Sequence, residues 1–132
     1  MANADIRITL REGEPMGALL RYDPGGSIQG TVQLTTDGAI NCRGAYLRLQ
    51  WHTEGRGDRD QEKIAERVLA EGPLAANASI SRDFNFCLPR APWSYAGRYV
   101  SIVWEIAAVV DIPLATDISA QQPFILAPRR AR

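Results

Sequence analysis

Residues 5–10 alternate Ile6, Ile8 and Leu10 with Asp5, Arg7 and Thr9, the period-two pattern of a strand with one dry and one wet face. REGEPMG interrupts it, ALLRY (18–22) follows, and DPGG (23–26) is a turn cluster whose glycines accept the positive φ that tight turns require. SIQGTVQLT then sets Ile28, Gly30, Val32 and Leu34 against Gln29, Thr31, Gln33 and Thr35, the clearest alternation in the chain. After TDGA, INCRGAYLRLQWHT places Ile40 and Cys42 on one parity and Ala45, Leu47, Leu49 and Trp51 on the other. The slip near Arg43 and Gly44 predicts a β-bulge. Trp51 then points inward and His52 outward.

Residues 61–72, QEKIAERVLAEG, carry Ile64, Val68 and Leu69 at spacings that also suit a short helix, but strands flank them. The preferred reading is a charged edge strand pairing with residues 78–88. ASISRDFNFCLP puts Ile80, Phe84, Phe86 and Leu88 on one face, with Asn85 and Cys87 on the other, and ends at Pro89. RAPWSYAG is an irregular corner. RYVSIVWEIAAVVD is the longest strand, with Val100, Ile102, Trp104, Ile106, Ala108 and Val110 inward. Its other face, with Val103, Ala107 and Val109 beside Ser101 and Glu105, is expected to be partly covered. QPFILAP is the last strand. Short strands punctuated by turn signals indicate an all-β fold, a sandwich rather than a barrel.

The chain has 132 residues, enough for one core and too few for two. The expectation is a single domain over 1–128 and a basic, disordered tail over 129–132. Lys plus Arg and Asp plus Glu are both 15, so the net charge is zero and no long-range field favours nucleic acid. VSIVWEIAAVV (100–110) is about half the length that a membrane span needs, and Glu105 interrupts it. The first residues lack the pattern of a secretory signal, which makes a cytoplasmic location the expectation. Cys42 and Cys87 suit neither a zinc ribbon nor a disulfide scaffold and read as free thiols in preference to a single bridge.

The C-terminal half carries Phe84-x-Phe86-x-Leu88-Pro89, then Pro92-x-Ser94-Tyr95-x-Gly97, then Ile102 and Trp104 in a long strand closing on Asp111-x-Pro113. Upstream stand an Ile-x-Leu strand, Pro-Gly-Gly at 24–26 and Ile28-x-Gly30-x-Val32. In order and spacing these pieces, spanning most of 5–127, resemble the arrestin-like family, whose members include signalling arrestins, trafficking adaptors and bacterial sporulation-control relatives. The resemblance implies an immunoglobulin-like antiparallel β-sandwich of about seven to nine strands and a non-enzymatic adaptor role. Two departures matter. Signalling arrestins read receptor phosphates with a lysine pair near the N-terminus, whereas Lys63 is the single lysine here. The family also generally carries two such domains in tandem, so a partner or a second copy is expected in place of the other half, unless a lone sandwich suffices.

WHTEGRGDRDQEK (51–63) concentrates candidate chemistry in His52, Glu54, Arg56, Asp58 and Asp60. His-x-Glu projects two donors to one side of a strand, but Asp58 and Asp60 sit in a glycine-interrupted loop without fixed spacing, so a solvated hairpin loop is preferred to a metal site. No serine lies in a Gly-x-Ser-x-Gly elbow to use His52. Arg56-Gly57-Asp58 is a tripeptide of common chance occurrence. Trp93 and Tyr95 flank the corner either as an exposed contact surface or as a plug closing the sandwich, the plug being preferred. Glu105, of outward parity, is expected to pair with an arginine across strands. Arg129, Arg130 and Arg132 are read as frayed.

The expected function is therefore a non-enzymatic protein-interaction module with no cofactor and no metal. It would bind a protein partner through loops, a sandwich face or strand edges, the edges also allowing a homodimer. The alternative is a small-molecule or carbohydrate-binding sandwich near Trp93, Tyr95 or Tyr99. A metal-dependent hydrolase using His52, Glu54 and Asp58 comes third.

Overall fold

The computed structural model describes residues 3–56 and 59–129. The alternating segments become ten strands: β1 (Ala4–Arg11), β2 (Glu14–Met16), β3 (Leu19–Tyr22), β4 (Ser27–Thr36), β5 (Gly44–Gly55), β6 (Gln61–Glu71), β7 (Ser79–Cys87), β8 (Tyr95–Ala96), β9 (Val100–Asp111) and β10 (Ile118–Leu126). A three-stranded sheet runs β1-β4-β7, and a seven-stranded sheet runs β2-β3-β10-β9-β5-β6 with β8 added alongside β9. The described residues contain no helix. This is an all-β sandwich.

Alternation determines what each sheet buries. In β4, Ile28, Val32 and Leu34 are at most 1% exposed and meet Phe86 and Leu88 from the β7 side. They face Leu47, Leu49, Trp104, Ile106, Phe124 and Leu126 of the large sheet, and together these form one continuous core. At about 25 cal/mol per Å² of apolar surface removed from water, such a core is the main stabilising term. The turn before β4 is made by Asp23–Gly26, where Gly25 has φ 77° and Gly26 N–H donates to Asp23 O over 3.0 Å.

Two expectations need correction. Residues 61–71 form an edge strand, but it pairs antiparallel with β5 (Leu47 opposite Arg67), not with 78–88, which pair with β4 instead. The strong apolar alternation of β7 matches the equally regular β4, whereas the charged β6 suits a sheet margin. The phase change near Arg43 and Gly44 marks the beginning of β5 rather than a bulge within it. Irregularities in the pairing with β6 fall at Ala45/Tyr46 and Leu49/Gln50. Cys42 is buried and Cys87 exposed, and both are free thiols.

Candidate functional site

Because Leu49 and Trp51 face the core, Gln50, His52 and Glu54 of β5 project from the opposite face of the large sheet. The antiparallel register sets Gln50 opposite Glu105 and His52 opposite Val103 in β9. Glu105 is only 5% exposed. Its Oε1 lies 2.7 Å from His52 Nδ1, and its Oε2 accepts a hydrogen bond from Gln50 Nε2 at 3.0 Å. His52 Nε2 lies 2.7 Å from Glu54 Oε2. The expected arginine partner of Glu105 is thus replaced by a histidine and an amide, since register puts Gln50 across from it and His52 two residues further along the same face. An open depression of about 590 Å³ adjoins this cluster, lined in part by His52, Glu54, Asp60, Glu105, Gln121 and Pro123.

The two carboxylates approach the imidazole at its two nitrogens, so they embrace the ring rather than converge with it on a common point. Among the described residues no group of three or more His, Cys, Asp or Glu side chains is arranged to hold a metal ion. Asp58 lies outside the described residues.

Further along the same face Arg21, 3% exposed, reaches Glu14 Oε1 at 3.3 Å, Asp23 Oδ1 at 2.7 Å and the Ala127 carbonyl at 2.7 Å. Its guanidinium holds both carboxyls below their ordinary values, chiefly by hydrogen bonding. Arg48, 2.7 Å from Glu66, does the same to that carboxyl. Arg129 Nε is 3.4 Å from Glu14, while Arg130 and Arg132 lie outside the described residues.

At one end of the sandwich the chain from β7 to β9 forms the Pro-Trp-Ser-Tyr corner. It is tied down from behind: Ser94 N–H donates to Leu126 O (2.8 Å), Leu126 N–H donates to Ser94 Oγ (2.9 Å), and Trp104 Nε1–H donates to Pro92 O (2.7 Å). Trp104 and Phe124, with ring centroids 6.0 Å apart, already fill the core behind it. The rings in front are therefore left outside. Trp93, Tyr95 and Tyr99 are 52%, 58% and 61% exposed, which corrects the expectation of a buried plug. Trp93 is oriented by its Nε1–H, which donates to Arg90 O at 2.9 Å.

The β5–β6 tip meets this corner. Gly55 has φ 140°, and a side chain there would collide with the Tyr99 carbonyl. Arg56 N–H donates to that carbonyl at 3.0 Å. The structure thus joins His52 and Glu54 in one cluster, sets Asp60 on the rim of the same depression, and brings Arg56 to the corner that bears Trp93 and Tyr95. Sequence reasoning missed Gln50 and Glu105 as partners of His52. Their shared outward parity was legible, but the register that opposes them was not.

No protein-family model matches the chain, and no curated protein matches it either. Among solved structures, the sporulation control protein Spo0M from Bacillus subtilis is similar in fold, with a TM-score of 0.65 at 19% identity over 93% of this chain. The chain spans about half, 49%, of the length of that structure. With its two sheets, its strand order and this likeness, the sandwich is an arrestin-like fold.

Proposed function

We propose that this chain is a non-enzymatic protein-interaction module whose contact surface is the end of the sandwich where the aromatic corner meets the β5–β6 tip. One observation carries the reading: Trp93, Tyr95 and Tyr99 are each more than half exposed although a filled core lies directly behind them. Exposed tryptophan and tyrosine are costly to leave in water and are enriched where partners bury them. Arg56, whose N–H donates to the Tyr99 carbonyl, adjoins this surface, and His52, Glu54 and Asp60 at the neighbouring outer-face depression are proposed as a second, polar contact region. The likeness in fold to Spo0M, a sporulation control protein, is compatible with an adaptor or scaffold, and a cytoplasmic setting fits the free thiols.

Affinity purification from native lysate tests the proposal. A partner retained by the wild-type chain is expected to be lost in Trp93→Ala/Tyr95→Ala, with the circular dichroism spectrum unchanged. Equal retention by both would sink the reading. Homodimerisation through strand edges is a separate outcome, read from light scattering on a sizing column. A carbohydrate site would use the same rings, but the depressions on the surface are lined by polar side chains rather than by those rings, which favours a protein partner.

A further inference from the structure

The corner has a charge pattern as well as exposed rings. From Arg90 to Val100, RAPWSYAGRYV contains two arginines and no carboxylate. Arg90 and Arg98 are both exposed, and neither forms an ion pair among the described residues. Several arginines elsewhere are matched to acids, Arg11 to Asp83, Arg21 to Glu14 and Asp23, Arg43 to Asp111 and Arg48 to Glu66, while Arg59, Arg67 and Arg82, and Arg56 at this same corner, likewise form no ion pair among the described residues. Asp23, in the turn that the Arg90 side chain overlies at Gly25, is committed to Arg21, and Glu54 is committed to His52.

Arg98 is also held in place. Its guanidinium carbon lies 5.5 Å from the centre of the Tyr99 ring. A guanidinium seated over a ring keeps N–H donors free, and such donors can grip a carboxylate with paired hydrogen bonds. Uncommitted cations beside exposed rings make a surface whose complement is both acidic and apolar.

We propose that this corner docks an acidic segment of a partner protein, whose carboxylates pair with Arg90 and Arg98 while an apolar side chain lies against Trp93, Tyr95 and Tyr99. The inference rests on the interaction reading above and adds the charge of the partner. A bilayer surface is the weaker complement. The chain has zero net charge, two of the three rings carry hydroxyls, and Val100 at 40% exposure is the one large aliphatic side chain exposed in the corner, whereas membrane-seating segments combine net basic charge with protruding apolar residues.

Selection of random linear peptides displayed against the immobilised chain tests this. Enriched peptides are expected to carry net negative charge and at least one large apolar residue. Their binding should weaken by about tenfold or more in Arg90→Glu/Arg98→Glu, and it should weaken with added salt in the wild type. Enrichment of neutral or basic peptides that still require Trp93 overturns the acidic assignment and leaves the interaction reading standing. No enrichment above a Trp93→Ala/Arg90→Glu/Arg98→Glu control overturns both. Co-sedimentation with phosphatidylglycerol vesicles but not phosphatidylcholine vesicles, without acidic-peptide enrichment, reassigns the corner to a membrane surface and overturns the proposal.

Discussion

Trp104 and Glu105 are neighbours in β9 and both are closed off from water, at 0% and 5% exposure, by opposite means. Trp104 lies on the inner face of the large sheet, packed against Phe124, with its one polar atom satisfied by Pro92 O. Glu105 lies on the outer face, where no second sheet covers it. It is enclosed instead by His52 and Gln50, which bond its two oxygens. On one face burial is the driving force; on the other it is tolerated because every charge has a partner. One strand can therefore carry both a wall of the core and a closed polar cluster.

The largest expected effect is on the inner face. Trp104→Ala removes a fully buried ring and should lower stability by about 3–5 kcal/mol, read as a fall in the midpoint of denaturant unfolding. A loss under about 1 kcal/mol would mean that the two sheets are not packed around this ring.

Glu105→Ala should cost less, about 1–3 kcal/mol, since it strands two donors rather than opening a large cavity. Combined with His52→Ala, the loss should be smaller than the sum of the two single variants, by about 0.5–3 kcal/mol. Strict additivity in that cycle would dissolve the contrast by showing that Glu105 and His52 act independently.

A third test is pH. The carboxyls of Glu14, Asp23 and Glu66 are held below their ordinary values by Arg21 and Arg48. A depressed carboxyl contributes stability that is fully present above its unfolded value and is lost as pH falls through its folded value. Thermal melts should therefore show stability declining below about pH 4.5, the ordinary value for Glu66. Arg48→Ala should flatten that decline, and an unchanged profile would refute the pairing. The smallest effect belongs to the corner: Trp93→Ala should change stability by no more than about 0.5 kcal/mol while abolishing partner binding. A large loss of stability there would return Trp93 to a structural role.

Much of the inner face was legible in the sequence. The alternation in SIQGTVQLT, ASISRDFNF and RYVSIVWEIAAVV named Ile28, Val32, Leu34, Phe84, Phe86, Trp104, Ile106 and Val110 as inward, and these are buried, whereas Val100, read as inward by the same pattern, is 40% exposed at the end of its strand. The outer face was legible only in part. Parity set His52 and Glu105 on one side of the sheet, but choosing arginine as the partner of Glu105 used a general preference where a specific register decides. Trp93 and Tyr95 were misread for a related reason: large rings are usually buried, yet here Trp104 and Phe124 already occupy the space behind the corner.

The sequence by itself determined the all-β class, the positions of most strands, the inward face of each and the corner that ends β7. These follow from side chains pointing alternately up and down along an extended chain, a property of a few consecutive residues. Only the tertiary structure decided that β6 pairs with β5, that Glu105 is enclosed by His52 and Gln50, and that Arg56 reaches the Tyr99 carbonyl. Those facts depend on register between segments that can lie some fifty residues apart, as from Gln50 to Glu105, and on which volume the core has already filled. No local pattern encodes either, because both are settled by the competition of all strands for the same hydrogen bonds and the same interior space.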